Sequence, residues 1–123
     1  MLSAPMLPPD SQGSPISIAP IDPQCARLVR HVVEVMHPLE VWLFGSRAEG
    51  RARPTSDYDL LVVMPDGTPA VELDPVRAWR LGWEAGVTAD VIPCTRGEFD
   101  EERHAIDTLA RAAWVRGHKV YER

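Results

Sequence analysis

Apolar and polar positions alternate along the chain in distinct rhythms. Leu28, Val29, Val32, Val33 and Met36 recur at helical spacing. Asp22-Pro23 supplies an N-cap and a first-turn proline, and His37-Pro38 stops the helix. Val41 to Phe44 is apolar at every position and too short for a helix, as expected of a strand covered on both faces. Gly45-Ser46 ends that run and starts a short helix through about Ala52. Pro54-Thr55-Ser56 breaks this helix and delivers the chain to a second strand, Asp57 to Val63.

Farther on, Pro65-Asp66-Gly67 reads as a turn, and Asp74-Pro75 repeats the cap-and-proline start. Val76, Trp79 and Trp83 share one face of the helix that follows, so both tryptophans are expected in the core, and Gly86 lies just past its end. Val87 to Ile92 is a third strand, stopped by Pro93. Thr95-Arg96-Gly97-Glu98 fits a capping box, and Phe99, Ile106, Leu109, Ala110, Ala113 and Trp114 form one helical stripe through to Gly117. Lys119-Val120-Tyr121 closes the chain as a short strand or a tail. The expected class is α/β (α+β), a small mixed β-sheet of three to four strands flanked by helices.

Composition narrows the function. The 123 residues suffice for one domain. A net charge of -5 opposes holding nucleic acid by bulk electrostatics, so no direct nucleic-acid partner is expected. No apolar run is long enough to span a membrane, which takes roughly 18 residues. Residues 1–21, broken by Pro5, Pro8, Pro9, Pro15 and Pro20, read as a disordered arm ahead of a domain over 22–123. Neither Cys25 nor Cys94 has zinc-ligand spacing, and both read as reduced thiols of a cytoplasmic protein. His31 and His37 lack a partner at ligand spacing and read as solvated or capping residues.

The chemistry concentrates between Val41 and Val63. A glycine turn at a helix start offers backbone N–H groups to phosphates. Side chains alternate across a strand, so Asp57 and Asp59 point to one face and Tyr58 to the other. Asp90 sits between apolar neighbours in the third strand, a costly place for a charge unless something compensates it, and is the candidate third carboxylate. Transfer of a nucleotidyl group needs a seat for the triphosphate, cations to offset charge and activation of the attacking hydroxyl. Gly45-Ser46 answers the first need. Paired carboxylates that bind hard Mg2+ ions answer the others.

Gly45-Ser46, ten residues, then Asp57-Tyr58-Asp59 resembles the motif of the minimal nucleotidyltransferase family in the DNA polymerase beta-like superfamily. The likeness extends from about Asp22 to the end of the chain. It implies the polymerase beta-like nucleotidyltransferase fold, with Asp57, Asp59 and Asp90 catalytic and holding two Mg2+ ions. Gly45 and Ser46 would bind the β- and γ-phosphates of ATP, and Arg47 would shape the turn or contact phosphate. Glu49 departs from the residue many relatives carry, leaving positive charge near the phosphates to Arg47, Arg51 or Arg53. The resemblance further implies an antitoxin that moves AMP from ATP onto a tyrosine of a partner HEPN-domain ribonuclease toxin. Two other readings stay open: a nucleotide-binding module that neutralises its partner by contact, and a small-molecule nucleotidyltransferase of the aminoglycoside-modifying kind.

Overall fold

The computed structural model describes residues 21–123; the proline-rich arm read over 1–21 lies outside them except for its last residue. Helix α1 spans Pro23–Met36, with Asp22 accepting from the Cys25 N–H at 2.8 Å and His37 ending it in the left-handed region. Strands β1 (Glu40–Phe44) and β2 (Tyr58–Met64) follow, then α2 (Pro75–Ala85) and β3 (Ala89–Thr95). Helices α3 (Arg96–Glu102) and α4 (Leu109–Arg116) and strand β4 (His118–Glu122) complete the chain. Among the described residues no helix is long and apolar enough to cross a membrane.

The sheet order is β3-β2-β1-β4, with β2 and β3 parallel and the other neighbours antiparallel. The mixed four-stranded sheet confirms the expected class. Alternation sorts the strand residues onto two faces. Val41, Leu43, Leu60, Val62 and Val91 join α1 and α2 in one core, while Trp42, Phe44, Leu61, Val63 and Phe99 join α4 in the other. The run Val41 to Phe44 is therefore apolar throughout because each face of β1 meets its own helical layer.

Several boundaries differ from the sequence reading. The stretch after Gly45 is not a helix but a set of hydrogen-bonded turns, in which Ala48 and Glu49 both donate to the Gly45 carbonyl. Strand β3 runs through Pro93 instead of stopping before it, so Asp90 stands near the start of the strand. The proline is tolerated because β3 is an edge strand, with only β2 beside it to pair.

The predicted long C-terminal helix is two helices. Thr108 breaks it: its hydroxyl donates to the carbonyls of Glu102 and Ala105 and accepts the Arg111 N–H, capping α4, while Asp107 takes φ 68°. A side chain that satisfies the backbone on both sides of a break competes effectively with helix continuation. Ile106, placed by the sequence on the buried stripe, is consequently exposed.

The largest correction concerns α2. Its buried residues are Ala78, Leu81 and Gly82, whereas Val76, Trp79 and Trp83 are 60%, 56% and 74% exposed. A Cβ added to Gly82 would lie 2.9 Å from the Val87 carbonyl oxygen and 3.3 Å from the Ala89 Cβ. At Gly82 the helix packs so closely on the start of β3 that no side chain fits beneath it. Its larger apolar face is turned outward.

Candidate active site

Strand register builds the site. Phe44 is opposite Asp59 across β1 and β2, and Asp59 is opposite Asp90 across β2 and β3. The glycine turn following Phe44 thus lands beside Asp59, and two carboxylates from separate strands stand side by side. Asp57 immediately precedes β2 instead of lying within it, yet it lines a cleft of about 220 Å³ together with Asp90. Asp59 and Asp90 project on the sheet face that carries Leu61, Val63, Ile92 and Cys94 farther along the strands. That face is open at the strand starts, so Asp57 and Asp90 are exposed and Asp59 is half-buried.

Asp57 and Asp90 stand close enough to Asp59 to oppose its ionisation. Burial pushes the Asp59 carboxyl up to about 6, and the charges of Asp90 and Asp57 and a hydrogen bond with Asp90 add to the shift. Such crowding suits a site that is completed by cations. Among the described residues no group of three or more His, Cys, Asp or Glu side chains is placed to hold a metal ion.

Gly45 has φ 75°, and a Cβ there would collide with Oδ2 of Asp59. Glycine is favoured both by the backbone and by the carboxylate next to it, which any Cβ would displace. Besides the two bonds to the Gly45 carbonyl, the Ser46 carbonyl accepts from Arg51 at 3.0 Å, which tightens the loop. Arg47 donates to the Ser56 carbonyl at 2.8 and 3.2 Å and to the Pro54 carbonyl at 3.3 Å, and its guanidinium stacks 4.3 Å from the Tyr58 ring centroid. Its guanidinium thereby ties the glycine turn to the segment that leads into Asp57. Glu49 lies 3.5 Å from Arg51 and 3.8 Å from Arg116, so it offsets part of the positive charge around the turn.

Tyr58, directed away from the two aspartates, donates to Asp22 at 2.6 Å. Burial and that bond push its phenol up to about 12. For Asp22, burial raises the carboxyl, but the bonds from Tyr58 and the Cys25 N–H and the charge of Arg47 outweigh it and hold the group below its usual value. One contact at the site was not foreseen from the sequence: the His118 ring donates to the Ala48 carbonyl at 2.9 Å, fastening the glycine turn to β4. The two residues are 70 positions apart, and no local pattern signals the pairing. The cleft beside the carboxylates is also walled by Trp79 and Trp83, which the helical pattern had assigned to the core. Cys25 in α1 and Cys94, four residues beyond Asp90 in β3, are free thiols, and His31 pairs with Glu84 at 2.7 Å.

A four-stranded mixed sheet with a glycine turn set against adjacent carboxylates is the arrangement of a nucleotidyltransferase. The chain belongs to the nucleotidyltransferase domain family, whose profile matches residues 26–115. Its fold is similar to that in the crystal structure of a toxin-antitoxin with AMP-PNP, at 16% identity and a TM-score of 0.57, covering 83% of this chain and 75% of that one. A candidate nucleotidyltransferase from Sulfolobus solfataricus aligns at 21% identity over 86% of this chain and 93% of its own, with a TM-score of 0.48. No curated protein matches the chain significantly.

Proposed function

We propose that this nucleotidyltransferase moves AMP from ATP to a hydroxyl, a tyrosine of a partner HEPN-domain toxin, and acts as that toxin's antitoxin in the cytoplasm. The observation that carries the reading is the row from Phe44 through Asp59 to Asp90, which sets the glycine turn directly against paired carboxylates. The similar toxin-antitoxin structure with AMP-PNP supports the donor and the kind of partner.

In the proposed reaction the Gly45-Ser46 turn seats the β- and γ-phosphates, and Arg47 keeps the turn in register with Asp57. The acceptor oxygen bonds to the α-phosphorus, the bond to the bridging oxygen breaks, and pyrophosphate leaves. Asp57 and Asp59 would hold two Mg2+ ions, with Asp90 joining on the acceptor side. When bound, the ions would offset the phosphate charge and lower the pKa of the attacking hydroxyl. Asp90 lines the open cleft and receives the departing hydroxyl proton or directs it to solvent.

Incubation with labelled ATP, Mg2+ and the product of the adjacent reading frame tests this. Label should pass to the partner with the intact protein and not with an Asp57→Ala, Asp59→Ala double variant. Neutralisation of the partner by both proteins without label would instead identify a contact-only antitoxin.

A further inference from the structure

Val76, Trp79 and Trp83 follow one another at intervals of three and four along α2, so they form a stripe about 10 Å long at ~1.5 Å per residue. All three are more than half exposed. At one side the stripe enters the cleft, where Trp79 and Trp83 share the wall with Asp57, Thr88 and Asp90. Helical spacing places Arg80, also exposed, next to Val76 and Trp83. Exposed large apolar side chains in one patch mark a binding surface, and Trp together with Arg dominates the energetics of protein–protein interfaces.

The charges argue for the occupant. Among the described residues, the ionisable side chains lining this cleft are Asp57 and Asp90, and no Lys or Arg lines it. A polynucleotide acceptor would need cations along its path, which the cleft does not offer. A small cationic polyol would find the acids, but it would leave Val76 and the outer part of the stripe uncovered.

We propose that the Val76–Trp79–Trp83 face of α2 docks an apolar segment of the acceptor polypeptide and so brings its hydroxyl to Asp57 and Asp90. The proposal rests on the nucleotidyl-transfer reading for its chemistry, but the docking itself can be measured without any transfer. Two indoles on a helix anchored by Gly82 against β3 form a rigid surface, and a segment laid across them meets the open side of the carboxylates.

The test is a binding titration of the intact chain and of a Trp79→Ala, Trp83→Ala double variant with the protein encoded by the adjacent reading frame. Ile106→Ala, which alters an exposed apolar residue after α3, serves as the control. The expected result is a tenfold or larger rise in Kd for the double variant and unchanged binding for the control. Circular dichroism and thermal melting check that the double variant is folded. Unchanged partner binding by the double variant, an equal loss in the control, or no binding by the intact chain overturns the proposal. So does indole-dependent binding of a single-stranded oligonucleotide or an aminoglycoside in place of the protein. Label transfer is scored separately: its absence in a complex that depends on the indoles counts against the transfer reading and leaves the docking surface standing.

Discussion

Gly45 and Asp59 are packed so closely that no other residue fits at position 45 without displacing the carboxylate. The contact follows from pairing Phe44 with Asp59, because the residue after Phe44 must turn over the neighbouring strand. Gly45→Ala therefore carries two penalties. Its φ of 75° is strained for alanine by about 1 kcal/mol, and the methyl drives the Asp59 side chain out of the site. A modest drop in melting temperature is expected alongside at least a hundredfold loss of nucleotidyl transfer, measured by denaturation and label incorporation. A variant as active as the parent would show that Asp59 need not occupy this position.

Asp59 makes stability fall as pH rises. Its folded carboxyl titrates near 6 against an ordinary 3.8. Between those values the folded state holds more protons than the unfolded state, so stability declines with increasing pH and the loss is complete above about 6. Asp59→Asn is expected to melt higher than the parent at pH 7 to 8, with the difference shrinking toward pH 4, while transfer is abolished. Melting curves across that range in the absence of divalent cations check the sign.

Asp22 has the opposite dependence. Its carboxyl is held below the usual value, so its contribution is full above the unfolded pKa and fades as pH drops through the folded one. Asp22→Ala removes the α1 cap and strands the buried Tyr58 hydroxyl, for a combined cost of roughly 2 kcal/mol at neutral pH. Urea denaturation at pH 7 and again at pH 3 should show the difference between variant and parent narrowing in acid.

Asp90 separates acceptor chemistry from donor binding. Asp90→Ala is expected to lower transfer at least a hundredfold while AMP-PNP affinity in Mg2+ changes by less than threefold. Parallel titration and label assays read both quantities, and equal losses would contradict an acceptor-side role.

Much of the fold was legible because local chemistry dictated it. The caps at Asp22, Asp74 and Thr95, the left-handed stop at Gly86 and the strand alternation each depend on neighbours a few residues apart. The misplaced tryptophans have a packing cause. Val76, Trp79 and Trp83 have the spacing of a buried face, but the distance from α2 to β3 admits only Ala78, Leu81 and Gly82 beneath the helix. Periodicity identifies an apolar face without saying how much room awaits it. The break at Thr108 left a trace in Asp107-Thr108, a legitimate cap signal that the apolar stripe overrode.

By itself the sequence determined the mixed α/β class, the Gly45-Ser46 turn and the spacing to Asp57 and Asp59, since turns, caps and alternation are short-range properties of the chain. Only the tertiary structure decided that Asp90 stands beside Asp59, that His118 fastens the turn, and that two tryptophans face outward at the cleft. Those relationships depend on strand register and on the closeness of helix to sheet, which are set by packing the whole domain at once.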